Sequence, residues 1–278
     1  MKSVLRRVST AVVAGAVAKA ALVYLSGHGS RYAELLQREN HRGQPVTLAE
    51  GPSVVLGTMA GVVIAPGLPH RVRLAALLAV GASGAAGGFD DLYGEASTKG
   101  LSGHLGSLAR GEVTSGAVKV AGIGATGLVS GILSRRGRGG VIDAVLAGTV
   151  IAGSANLLNL FDLRPGRAIK VFLAASTPVV FARGHAGDLL SAPVGATAAL
   201  RGDDLAERSM LGDTGANALG AILGTAAASS MGRRGLLATS ALVIGLTVAS
   251  ERVSFSQVIE QNRALAAWDN LGRHQQTT

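Results

Sequence analysis

Residues 140–162 read GVIDAVLAGTVIAGSANLLNLFD. The run is predominantly apolar and close to the ~20 residues that a helix needs to cross a bilayer. It is rich in Ala, Leu and Gly and shows no period-two alternation, which argues for a helix and against a membrane strand. One of its two acids, Asp162, stands where the apolar stretch ends. A charged side chain at the centre of a bilayer costs about 2.5–3.5 kcal/mol on the lenient insertion scale, so an acid kept at a span's end is placed for use. Asn156, Asn159 and Asp162 follow at i, i+3 and i+6 and drift slowly round one helix face. Two amides and a carboxylate on one stripe can hold a metal and a nucleotide together, or act as polar glue between helices.

The same pattern recurs along the chain. Apolar runs bounded by charge fall at about 8–25, 52–67, 72–89, 116–133, 140–160, 168–182, 187–200, 214–231 and 234–250. The 278 residues are 48% hydrophobic and only 15% charged, where a soluble domain carries nearer a quarter charged residues. An all-α polytopic membrane bundle of about nine spans is the expected fold, over residues 1–250, with 251–278 as a polar, amphipathic tail. The seventh run is the weakest and reads as tilted, re-entrant or mis-bounded. Glycines four apart (Gly57/Gly61, Gly84/Gly88, Gly127/Gly131, Gly220/Gly224) share a helix face and let backbones approach closely in lipid. At the start, MKSVLRR followed by VSTAVVAGAVA resembles a signal peptide, but the apolar stretch resumes after Lys19 as AALVYL, so a retained first helix is expected.

Alternating spans gather 15 of the 17 acidic residues on one side, whereas the basic residues divide far more evenly. The Lys/Arg bias therefore does not set the orientation. The chain has no cysteine, which excludes disulfides, thiolate metal sites and cysteine nucleophiles. Six dispersed histidines without an H-x-x-x-H pair argue against zinc. A net charge of +9 raises nucleic acid, but with 3% aromatics the basic loops read instead as contacts to anionic headgroups and phosphorylated substrates.

Two more acid clusters sit at run ends on the same side. Asp90-Asp91 in GGFDDLYGE suits Mg²⁺, which takes one or two carboxylates plus substrate phosphate oxygens; a solvated helix end is the bland alternative. Asp213 in SMLGDTGANALG opens a new helix, where phosphate is favoured, though an acid there also reads as a simple N-cap. After Asp162, Pro165-Gly166 make a turn, leaving Arg164, Arg167 and Lys170 to bind phosphate or to snorkel at the interface.

Together these segments resemble the polyprenyl-phosphate N-acetylhexosamine-1-phosphate transferase family, which includes phospho-N-acetylmuramoyl-pentapeptide transferase and its N-acetylglucosamine-1-phosphate relatives. The acid pair corresponds to Asp90-Asp91, the Asn-x-x-Asn-x-x-Asp motif to Asn156, Asn159 and Asp162, and the Met-Gly-Asp-x-Gly motif to MLGDTGA around Asp213. A basic first loop with Gly-x-Pro is weakly matched by Arg42, Gly43 and Pro45. The resemblance runs from about residue 40 to 255. It implies a multi-pass protein of a bacterial plasma membrane, with motif loops and tail in the cytoplasm. It also implies transfer of a sugar-1-phosphate from a UDP-N-acetylhexosamine to an undecaprenyl- or decaprenyl-type phosphate, releasing UMP, in cell-envelope biogenesis. Mg²⁺, or Mn²⁺, is the implied cofactor, held by Asp213 with Asp162, Asn159 and Asp91. Asp90, Asp91 and Asp213 are the implied catalytic residues, and Asn156, Asn159, Arg164, Arg167, Lys99, Lys119 and Arg42 the implied substrate contacts. Membrane lipids are expected partners, nucleic acid is not, and a homodimer stays open.

The sequence also departs from the family pattern. Pro165 replaces a second acid, Gly94 stands where a lysine is common (with Lys99 or Lys119 as substitutes), and a polar tail replaces a histidine-rich loop and a last helix. These departures argue against a pentapeptide-loaded muramoyl substrate. They also keep a second reading open, a non-catalytic descendant that binds lipid-linked precursors or partner proteins. A transporter would need mid-span acids and inverted repeats, and the sequence shows neither.

Overall fold

A computed structural model of the chain describes residues 2–273 apart from 28, 41, 42, 95–113, 136 and 138. Among the described residues nine helices fall where the nine apolar runs stand. They are α1 (Lys2–Ser26), α2 (Glu50–Ile64), α3 (His70–Tyr93), α4 (Ser115–Arg135), α5 (Val141–Phe161), α6 (Arg167–Phe181), α7 (His185–Leu205), α8 (Gly212–Ser230) and α9 (Arg233–Ser250). Two short helices, α10 (Phe255–Gln261) and α11 (Arg263–Asn270), make up the tail. Four helices, α1, α3, α4 and α5, are long and apolar enough to cross a membrane, and α9 with α10 makes a fifth if that bent pair is one span. The fold is thus all-α and suits a polytopic membrane bundle. The seventh run, weakest in sequence, is a 21-residue helix that carries Pro193 and continues through Arg201 to Leu205.

α8 is the axis of the bundle and packs against α2, α3, α4, α5, α6 and α7. Its sequence, GDTGANALGAILGTAAASS, explains this position. Small side chains leave little to project into lipid, and nearly every residue from Gly212 to Ser229 is buried. A Cβ added at Gly224 would lie 2.7 Å from the Ile151 Cα and 2.8 Å from the Val150 carbonyl on α5. Gly127 and Gly131 of α4 meet Gly148 of α5 in the same way. With a membrane on the outside, such close approach supplies the van der Waals contact that holds helices together. Gly224→Val is therefore expected to destabilise the bundle by about 1–3 kcal/mol, read as a drop of several degrees in apparent Tm. Gly245→Ala, which has open space around it, is the control. Equal melting of the two variants would mean the α5–α8 crossing is not tight.

Hydrogen bonds between elements show that successive helices run in opposite directions. At one end Arg7 donates to Asp188 and to the carbonyls of Val180, Ala182 and Gly184. There too Arg233 grips Asp143 with two bonds of 2.8 and 2.6 Å, and Arg135 reaches the Met231 carbonyl. Basic side chains thus neutralise carbonyls left open at helix C-termini. The other end gathers the ends of α3, α5 and α7 and the starts of α2, α4 and α8. It also carries a feature absent from the sequence reading, an antiparallel hairpin of β1 (Gln37–Glu39) and β2 (Pro45–Thr47). The strands are three residues each, too short to show alternation. The Met210 amide donates to the Thr47 carbonyl at 2.9 Å and fastens the hairpin to the loop before α8.

Candidate functional site

The acid-rich end is organised by the contact between the last turn of α3 and the first turn of α8. Gly87 allows it, since a Cβ there would lie 2.7 Å from the Thr214 amide nitrogen. One turn on, the Asp91 carboxylate accepts from the Asp213 amide (3.0 Å), the Thr214 amide (2.9 Å) and the Thr214 hydroxyl (2.7 Å). The opening amides of α8 are therefore capped from another helix, and the N-cap role read for Asp213 belongs to Asp91. Asp91→Ala is expected to cost about 0.5–2 kcal/mol, as loss of a helix cap does. The accompanying signature is faster hydrogen exchange confined to residues 212–216. Unchanged exchange there would show that the cap does nothing.

Freed from capping, the Asp213 side chain pairs directly with the Lys119 ammonium, from the second turn of α4. The same ammonium lies 3.3 Å from Asp90 Oδ2, and Ser115 also bonds to Asp90. One lysine thus stands between two carboxylates brought from α3 and α8. Asn217, one turn beyond Asp213, donates to the Asp213 carbonyl at 2.7 Å. Its buried Oδ1 has no hydrogen-bond partner among the described residues, and neither has Asn159 Oδ1.

Asp162 ends α5. Its amide donates to the Asn159 carbonyl at 3.0 Å, and its carboxylate accepts from the Gly212 amide. Burial pushes its carboxyl well above the usual carboxylate range, and the negative charges of Asp204, Asp213 and Asp91 push it further. Asp204, in the last turn of α7, is buried and accepts from the Gly166 amide at 3.0 Å. Several carboxylates therefore crowd one end of the bundle, with Lys119 set among them. Mutual repulsion of this kind is relieved by an entering cation. Among the described residues no three His, Asp or Glu side chains form a cage that could hold a metal ion unaided.

Asp90 and Lys119 also form the polar mouth of a groove of about 600 Å³ between α4, α5 and α9. Asn156 and Asn159 continue its polar side, while Val120, Ile123, Val145 and Val243 line the apolar remainder. Asn156 is steadied by a 3.3 Å bond to Thr247 of α9. The groove thus joins a charged head to an apolar trough.

The structure brings together Asp90, Asp91, Lys119, Asn156, Asn159, Asp162 and Asp213 from three separate motifs and α4. Arg164 and Arg167 turn to the tail instead. Arg164 pairs with Glu260 at 2.6 Å, and Arg167 is buried against Asp269. Arg42 and Lys99 lie outside the described residues. The sequence reading missed Asn217 and Asp204. Asn217 had a signal, since its spacing of four from Asp213 puts both on one helix face. Asp204 had none, because its role depends on burial. No protein-family model matches the chain, and no curated protein matches it.

Proposed function

We propose that the protein is an integral membrane transferase that moves a sugar-1-phosphate from a UDP-sugar to a polyprenyl phosphate and releases UMP. The observation that supports this best is the groove with Asp90 and Lys119 at its mouth beside Asp213, because a lipid phosphate needs a charged head site continuous with an apolar trough. An oxygen of the lipid phosphate attacks the phosphorus bonded to the sugar. That phosphorus loses its bond to the bridging oxygen, and the oxygen departs with UMP.

The donor set fits Mg²⁺. Among the described residues two oxygens, on Asn159 and Asn217, lack partners, and a cation that keeps substrate oxygens needs only one or two carboxylates. Asp213 would hold it, helped by Asn159 and Asp162, whereas both oxygens of Asp91 already accept from the first turn of α8. When bound it supplies charge neutralisation at the diphosphate. Lys119 steers the phosphates inward and clamps an oxygen once it leaves the carboxylates. Asp90, beside the groove mouth, takes the proton of the lipid phosphate as it becomes the nucleophile. Asp91 fixes the first turn of α8 and so the direction of the Asp213 side chain. The acid-rich end is then the cytoplasmic face of a bacterial plasma membrane, and the nine helices are its spans.

The Lys119–Asp213 pair also favours a second reading. A lysine held between the acids is what a non-catalytic descendant would keep if it only bound lipid-linked precursors. Purified protein with polyprenyl phosphate, Mg²⁺ and a panel of UDP-sugars distinguishes the two. UMP release with any sugar supports the transferase, lipid-phosphate binding without release supports the descendant, and neither result leaves both unsupported.

A further inference from the structure

The last helix of the tail is amphipathic in an unusual sense. α11 turns an acid, Asp269, toward the protein and its large apolar side chains outward. Asp269 is 4% exposed, whereas Leu265, Trp268 and Leu271 are 42, 36 and 67% exposed. Leu265 and Trp268 lie three apart on α11 and Leu271 follows at its C-cap, so three partly exposed apolar side chains fall together at the end of the tail, with Lys170 5.8 Å from the centre of the Trp268 ring. The inward face is secured by Arg167, whose guanidinium donates to both Asp269 oxygens at 2.8 and 2.9 Å, and by Arg273 at 3.0 Å. The outward stripe therefore is not a docking face left over from folding, because the helix is already docked by its polar side.

The position of the tail says what meets that stripe. α9 has 18 residues and spans about 27 Å at 1.5 Å per residue, close to the ~30 Å hydrocarbon thickness. Its end therefore lies near the boundary of the bilayer. Within four residues the chain turns by 87° into α10, which sets that helix along the membrane plane. Phe255 of α10 stacks on Phe161, at the end of the membrane-length helix α5, with ring centroids 5.4 Å apart. Arg252 and Arg263 flank the tail helices and are exposed. A helix at this level with Trp and Leu outward and arginines alongside has the composition of an interfacial element on anionic lipid.

We propose that α10 and α11 form an in-plane membrane-surface element, with the Leu265–Trp268–Leu271 stripe seated at the headgroup–acyl boundary of the protein's own bilayer. This depends on the membrane-bundle fold and not on the transferase reading. Trp268 is the only tryptophan in the chain, so its fluorescence reports this seat alone. The full-length protein is placed in nanodiscs containing phosphatidylglycerol, with and without lipids brominated high on the acyl chain. Blue-shifted emission that brominated lipid lowers by roughly half is expected of a ring at the interface. Arg252→Gln with Arg263→Gln should weaken the quenching when anionic lipid is limiting. Leu265→Glu with Leu271→Glu, which leaves Asp269 in place, should shift the emission to the red without altering apparent Tm. Red emission insensitive to bromine in the unaltered protein overturns the proposal in favour of a solvent-facing stripe. Blue emission insensitive to bromine also overturns it, in favour of a protein partner or a second copy.

Discussion

Asp213→Asn is expected to lower UMP release by about 10²–10³-fold, the scale lost when one well-placed electrostatic group is removed from an active site. The substitution keeps the shape of the side chain and deletes its charge. It should leave the fold intact for a specific reason. The first turn of α8 is held through the Asp213 and Thr214 amides by Asp91, and the Asp213 carboxylate takes no part in that cap. Its partner is Lys119, which retains Asp90 at 3.3 Å in the variant. Apparent Tm should therefore stay close to that of the unaltered protein while turnover falls. Asp143→Asn is the matched control, since it removes a buried acid at the opposite end, where Arg233 is its partner. That variant should melt earlier and turn over normally. Turnover by Asp213→Asn at the unaltered rate would remove the acid from the mechanism, and loss of turnover only in step with loss of fold would make its role structural.

The helices were legible in the sequence because apolar runs and their breaks are local signals. Pro165-Gly166 marks a turn that the structure shows, with Gly166 at positive φ, whereas the second run, read to residue 67, ends as a helix at Ile64 before the turn at Pro66-Gly67. Span status was less legible. α8 reads as one more apolar run, but its small residues fit it for the centre of the bundle rather than for contact with lipid. The site divides along the same line. Each acid could be picked out at the end of its run, yet its task is set by a neighbour distant in sequence. Asp91 and Asp213 lie in separate motifs, and only the packing of α3 on α8, allowed by Gly87, makes one the cap and frees the other. Arg164 and Arg167 show the limit most clearly. A basic pair after an acid and a Pro-Gly turn reads as a phosphate clamp, but Glu260 and Asp269 arrive from about 100 residues away to meet them. No local pattern announces that meeting.

Arg167→Ala is the substitution expected to disturb the fold most. Arg167 is 1% exposed and donates to Asp269 twice, with a further 2.7 Å bond to the Ser256 hydroxyl. Removing one partner of a buried pair leaves the other charge uncompensated and costs about 3–5 kcal/mol. Arg273, at 3.0 Å from Asp269, offsets part of this loss. The damage should be local, because the bonds of Arg167 go to the tail alone, which is otherwise held by Lys170 on the carbonyls of Trp268 and Leu271, by the Arg164–Glu260 pair and by Phe255 stacked on Phe161. Trypsin should then cut the tail at Arg263 several times faster, and hydrogen exchange should rise over 255–270. The Asp162 turn should loosen less, since Asp204 still holds the Gly166 amide from the side of α7. Pairing Arg167→Met with Asp269→Leu tests the cause. Two apolar side chains of similar volume bury without a desolvation penalty, so this double variant should recover most of the protection that either single change removes. Recovery would show that the clasp matters because each charge answers the other. If the double variant is no better than Arg167→Ala, the bond from Arg167 to Ser256 carries the docking instead.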